Sequence, residues 1–293
     1  MDNSRQAHYV ARDGTGGRPL DEHRGRLTRD GIRIHEDADF AGMHRAGRLA
    51  AEILDRIAEH VVPGATTGAL DQMITDWVTE AGATSATIGY KGYAHASCIS
   101  VNHVVCHGIP GDKVLKDGDI LNIDVTVIVD GWFGDTSRMY VAGRLSRKAE
   151  RLIQITHDAL MKGIEAVKPG NTFGDIGHAI QAYAEGHRTG VVRDFCGHGL
   201  GRVFHAPPNV LHYGRSGTGP VLEEGMFFTI EPMINLGRPE TKVLADDWTA
   251  VTRDKSLSAQ FEHSIGVTAT GAEIFTLSPG GMFHPTYGAA SNG

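Results

Sequence analysis

The sequence predicts an α+β protein built in two related halves, on three observations. The stretch Ile120–Tyr140 reads as a β-hairpin with two aspartates on one face. Two pairs of amphipathic helices carry the same Pro-Gly-x-Thr link, Val62-Pro63-Gly64-Ala65-Thr66 and Lys168-Pro169-Gly170-Asn171-Thr172, at an offset of 106 from residue 62 to residue 168. That period is too long for a solenoid repeat and suggests half-domains related by a pseudo-twofold axis. Two further β-prone runs in the second half each hold a glutamate. At 293 residues the chain has ample surface to bury.

Residues 1–39 are rich in Arg, Asp, Gly and His and poor in apolar side chains, which predicts a mobile or loosely docked extension and leaves 40–293 as one domain. From Phe40 the spacing becomes helical: Met43, Ala46, Ala50, Ile53, Ile57 and Val61 recur at intervals of three and four until Pro63-Gly64. Thr66 or Thr67 then caps a second helix through Leu70, Ile74 and Val78, ending near Gly82. A Gly- and Tyr-rich loop at 88–94 leads to the strand-like SCISVNHVVCHGIP and the hairpin. Ser146 caps a helix from about Arg147 to Val167, and Thr172 opens another through Ile176, Ile180 and Tyr183.

The hairpin turns at Asp130-Gly131. Pairing Val129 with Trp132 sets Thr126 opposite Asp135 and Asp124 diagonal to Asp135 on the same face. Two carboxylates so placed among Ile and Val repel each other and cannot both stay ionised without a cation. The second half adds Glu231 in MFFTIEPMIN and Glu262 in FEHSIGVT, and glutamate is both depleted in strands and costly when buried. His198 stands in the glycine-bracketed CGHGLG, where the backbone leaves room for a ligand. Four carboxylates and one imidazole exceed the needs of one transition metal and suit two ions sharing bridging carboxylates and a water. Oxygen-rich sets of this kind fit Mn, Fe, Co or Zn, and such a pair can acidify a bridging water and polarise a carbonyl.

The net charge of −7 gives no electrostatic reason to expect nucleic acid or an anionic membrane. No apolar run is long enough to span a bilayer, and the first forty residues lack a signal-peptide core, so a soluble cytoplasmic protein is expected. Cys98, Cys106 and Cys196 have no metal or disulfide spacing and read as packed thiols of a reducing compartment. Cys106 adjoins His107, but alternation along an extended strand points the two to opposite faces and argues against a thiolate–imidazole pair.

Six stretches in order, CISVNHVVCHGIP, LNIDVTVIVDG, FGDTSRMY, CGHGLG, FTIEPMINLG and SLSAQFEHSI, resemble the signatures of the type I methionine aminopeptidases over about residues 40–278. The resemblance implies the pita-bread fold, a curved antiparallel sheet covered by helices. It also implies removal of initiator methionine from nascent polypeptides whose second residue is small, by attack of a metal-bridging water or hydroxide on the first peptide bond. By motif position Asp124 binds one of two divalent ions, Asp135 and Glu262 bridge the pair, and His198 and Glu231 complete the other. Glu231 also shuttles a proton. His107 and His205 match the two non-ligand histidines that contact substrate. Tyr90, Tyr93, Cys98, Phe204 and Trp248 line the methionine pocket, contacts suited to a thioether. Asn102, Val104 and Ser258 match a site for one Na or K ion. A monomer is expected, with the ribosome as a further partner.

Only 32 residues lie between His198 and Glu231, which leaves no room for the insertion of the type II relatives. His103 stands where the family usually has Glu, and Ala206-Pro207 where an acidic pair is common, so His205 should be less basic than in its relatives. A proline-specific aminopeptidase or dipeptidase of the same fold would share the five ligands but carry a large folded N-terminal domain. A non-catalytic peptide-binding relative would have lost ligands.

Overall fold

The computed structural model describes residues 25–287. Four helices cover the strands: α1 (Asp37–Ile57), α2 (Thr67–Glu80), α3 (Arg147–Glu165) and α4 (Phe173–Gly186). Their starts follow the caps expected. Thr66 Oγ1 accepts from Ala69 N–H at 3.1 Å, Ser146 Oγ accepts from Ala149 N–H at 3.3 Å, and Thr172 forms a capping box with Asp175. The apolar side chains spaced along α1, from Met43 through Ile57, are buried. Helix α1 begins before Phe40, at Asp37, because Glu36 and Asp39 close a capping box ahead of the apolar stripe.

The first hairpin pairs Asp119–Val129 with Trp132–Ala142 in the predicted register, Val129 opposite Trp132 and Thr126 opposite Asp135. Alternation then sorts the side chains. Ile123, Val125 and Val127 are fully buried in the main core, beneath the helices, while Asp124 and Thr126 open onto a cavity on the opposite face. Gly134 permits the close approach of α1: a Cβ there would lie 2.2 Å from the carbonyl carbon of Ala46.

The second half repeats the plan with more breaks. Phe227↔Gly266, Ile230↔His263, Met233↔Gln260 and Asn235↔Ser258 keep a single antiparallel register, which sets Glu231 opposite Glu262. Neither run is a continuous strand as its sequence suggested. Phe227–Ile230 and Met233–Asn235 part at Glu231-Pro232, where proline has no N–H for the ladder, and Ser258–Gln260 and His263–Val267 part at Phe261-Glu262.

Main-chain bonds bear out the internal symmetry. Gly64 N–H donates to Leu115 O at 2.8 Å and Gly170 N–H to Leu222 O at 3.0 Å. Gly68 N–H donates to Gly111 O at 2.8 Å and Gly174 N–H to Thr218 O at 2.9 Å. Each Pro-Gly-x-Thr link thus meets an equivalent segment in its own half, with the isolated bridges Thr66↔Val114 and Thr172↔Val221. Across the seam between halves, Glu262 N–H donates to Ser137 O at 3.1 Å, Thr136 Oγ1 donates to Glu262 O at 2.7 Å, and Ser264 Oγ donates to Asp135 O at 2.6 Å.

Part of the expected polar extension is docked. Residues 26–34 form a short hairpin, Ile32 is buried, His35 N–H donates to Gly225 O at 2.8 Å, and the His35 ring stacks on Phe227 with centroids 4.2 Å apart. Ile32 and His35 supply the burial that the composition of residues 1–39 as a whole hides. Residues 1–24 lie outside the described residues. Among the described residues no helix is long and apolar enough to cross a membrane.

Candidate metal centre and substrate cavity

The seam brings the acids together. Asp135 accepts from Thr126 Oγ1 at 2.7 Å, across the register pair fixed by the hairpin turn. One donor atom each from Asp135, His198 and Glu262 lies within 4.8 Å of the others, a spacing one cation can span. His198 Nε2 is 3.5 Å from Asp135 Oδ2 and 3.8 Å from Glu231 Oε1. Its Nδ1 lies 3.1 Å from Gly199 O, so in the neutral ring the proton sits on Nδ1 and the Nε2 lone pair faces the carboxylates. Thr229 ties two of these residues together: its Oγ1 accepts from His198 N–H at 3.0 Å and donates to Glu231 Oε1 at 2.8 Å. Asp124 stands outside the compact trio but lines the same cavity, as does Glu231.

The electrostatics are those of a cation site. Burial lifts the Asp124 carboxyl well above the usual range, and Asp135 and Glu231 lift it further. Glu262 is raised in the same way, by burial and then by Asp135, Glu231 and Asp124. Burial also raises Glu231, against the pull of His198. For His198 burial opposes protonation, yet Asp135 and Glu231 overcome it and leave the ring more basic than usual. A dense set of carboxylates around one imidazole that resists ionising in a closed site is the donor chemistry of divalent metal ions.

Above the acids opens a cavity of about 500 Å³. Tyr90, Tyr93, Cys98, Phe204 and Trp248 wall it together with His107 and His205. Tyr93 and Trp248 pack at 4.9 Å, and Tyr90 and Phe204 at 5.1 Å.

Residues 41–269 match the profile of metallopeptidase family M24. The methionine aminopeptidase of Rickettsia prowazekii (strain Madrid E) is 60% identical over 257 residues, 87% of this chain and 99% of that protein. This chain belongs to metallopeptidase family M24, in its methionine aminopeptidase branch. The crystal structure of the methionine aminopeptidase from Rickettsia prowazekii superposes with a TM-score of 0.83 over 84% of this chain and all of that one. The prolidase from Pyrococcus horikoshii OT3 matches at a TM-score of 0.67 and 20% identity, covering 84% of this chain and 63% of its own, which shows the shared pita-bread fold alone. Membership of a metallopeptidase family implies divalent metal binding, and the donor set described above fits it.

Against the family's motif positions, the fold gathers all five acid and imidazole residues, both further histidines and all five pocket residues around one cavity. It also adds residues that sequence reasoning missed. Met233 and Gln260 line the cavity, each two positions from a glutamate already singled out, and alternation along a strand would have found both. Gln260 Nε2 donates to Glu231 Oε2 at 3.4 Å. His212, fully buried, accepts the Glu231 N–H at Nε2 over 3.1 Å, a contact that no motif announced. Cys106 and His107 do not point apart as expected. His107 has φ 55°, so the alternation of an extended strand breaks there and both residues line the cavity. The Cys106 thiol is nonetheless held well above its usual range by burial and by Glu231.

His205 stacks on Tyr90 at 5.2 Å and lies 4.1 Å from His198. Its basicity is lowered by desolvation and by His198, Lys91 and His107. Asn102 and Ser258 lie away from the cavity lining but meet each other, Ser258 N–H donating to Asn102 O at 2.9 Å, and Val104 pairs with Val251.

Proposed function

We propose that the chain removes the N-terminal methionine from nascent polypeptides whose second residue is small. The observation that carries this reading is one cavity with a metal-fitting acid and imidazole floor beneath an aromatic and sulfur wall. Asp124, Asp135, His198, Glu231 and Glu262 would hold two divalent ions of Mn, Fe, Co or Zn. When bound, the ions supply Lewis acidity to the scissile carbonyl and lower the pKa of the attacking water.

The protein groups do the rest. Tyr90, Tyr93, Cys98, Phe204 and Trp248 receive the methionine side chain, a soft thioether between rings and a thiol. Glu231, oriented by Thr229 and Gln260, accepts the proton of the attacking water and delivers it to the leaving amine. His107 and His205, kept from protonating by burial and by the Lys91 charge, present N–H donors toward the carbonyl and the oxyanion it becomes. The catalytic unit is one domain from about residue 40, with residues 26–39 docked on it. Asn102, Val104 and Ser258 belong to a separate Na or K site. The protein would act on new chains in the cytoplasm as a monomer.

Hydrolysis of Met-Ala-Ser and Leu-Ala-Ser by the metal-loaded protein tests the reading. Methionine should be released from the first at a rate at least about a hundredfold above leucine from the second, since the pocket discriminates by shape and sulfur contact. Activity should vanish on chelation and return with Mn or Co. Equal cleavage of both peptides, or turnover that survives complete metal removal, would defeat it.

A further inference from the structure

Lys91 is the one lysine or arginine among the described residues that line the cavity. It sits in the turn Tyr90–Gly92, where Gly89, Lys91 and Gly92 take φ of 85°, 48° and 86°. The left-handed region favours glycine over lysine. The turn is held in that shape by Gly89 N–H to Tyr93 O at 2.7 Å, Tyr90 N–H to Thr87 O at 3.0 Å and Tyr93 N–H to Tyr90 O at 2.9 Å. Its side chain therefore leaves a defined backbone next to the pocket wall.

A column of rings leads from the candidate metal centre to this ammonium. His198 and His205 have centroids 4.1 Å apart, Tyr90 follows at 5.2 Å, and Lys91 Nζ lies 5.2 Å from the Tyr90 centroid. Lys91 is exposed, whereas the four acids of the cavity lie at its floor, where bound divalent ions would offset them. The Lys91 charge also reaches inward, lowering the basicity of His107 and His205. An extended substrate spans about 3.3–3.6 Å per residue. With its first peptide bond at the metal centre, a chain running along this column would carry the side chain of its third residue toward Nζ, just past the small second residue.

We propose that Lys91 determines specificity at the third substrate residue, favouring an anionic side chain there and disfavouring lysine or arginine. This rests on the aminopeptidase reading above. An exposed charge pair is worth a modest factor, so about a five- to tenfold preference in kcat/KM for Glu over Lys is expected at low ionic strength, carried mainly by KM.

The test uses the metal-loaded full chain and the C-terminally amidated peptides Met-Ala-Glu-Gly, Met-Ala-Gln-Gly and Met-Ala-Lys-Gly, with the Gln peptide as reference within each variant. The wild type should rank Glu above Gln above Lys, and the ranking should collapse when salt is raised to about 0.5 M. Lys91→Met should bring the Glu to Lys ratio close to one, and Lys91→Glu should invert it. A wild-type ratio within twofold of one, or a preference that survives Lys91→Met, would overturn the proposal. If none of these peptides is cleaved, the aminopeptidase reading itself has failed. If all are cleaved without regard to charge, only the role of Lys91 has.

Discussion

Asp124 sits on a strand face whose neighbours, Asn122 and Thr126, are polar, so Asp124→Asn removes a carboxylate donor while keeping the shape. If Asp124 is a ligand, the variant should bind about one ion fewer per chain and lose at least about a hundredfold in kcat. Metal analysis alongside turnover checks this, and unchanged values for both would remove Asp124 from the ligand set. Asp124 and Glu262 also carry a proton prediction. Their raised pKa values mean that the metal-free site holds its protons to higher pH than free carboxyls do, and these must leave when ions bind. Calorimetric titration with Mn at pH 7, in buffers of differing ionisation enthalpy, should show net proton release, and affinity should fall as pH falls. At this scale the sequence was legible wherever a residue type was out of place, as with Glu231 and Glu262 in β-prone runs. It was opaque at His212 and Thr229, whose residue types are ordinary and whose contacts form only when distant segments meet.

Among the elements, the first hairpin was readable to the residue because Asp130-Gly131 sets the turn and period-two alternation sets every pair after it. The second was harder to read, since Pro232 and the residues about Glu262 break the strands and the connection between them is long. Gly134 shows what the packing of α1 demands. In Gly134→Ala the new Cβ would meet main-chain atoms of Ala46 and Gly47, which cannot rotate away, so a loss of about 3 kcal/mol or more in unfolding free energy is expected. Chemical denaturation measures it. The caps at Thr66 and Thr172 occupy equivalent places in the two halves, and alanine at each should cost about 1 kcal/mol, adding in the double variant because the sites are independent.

For the whole molecule, the dependence of stability on pH should differ between metal-loaded and metal-stripped protein. His35, with a pKa lowered to about 4 by burial, and His157, lowered in the same sense, favour the folded state in their neutral forms. Their contribution is complete above the unfolded value near 6.5 and is lost as pH falls toward the folded value. Acid also displaces metal, so the loaded protein loses stability from both sources between about pH 7 and pH 5. In the stripped protein the raised carboxyls work the other way. They bind more protons folded than unfolded, so their penalty shrinks as pH falls toward about 4. Thermal midpoints should therefore drop more steeply on acidification for the loaded protein than for the stripped one.

Local rules, the turn at Asp130-Gly131, the Thr66 and Thr172 caps and the alternation of faces, were enough to determine from sequence the hairpin, the four helices and the paired halves, and residues out of place in their setting pointed to five candidates for holding metal. What brought those residues within reach of one another was the seam, where Glu262 bonds to Ser137 and Ser264 to Asp135, because a contact between segments more than a hundred residues apart has no local periodicity to betray it. The same holds for the left-handed His107 and for Lys91 at the rim, whose directions depend on a backbone that the surrounding fold imposes.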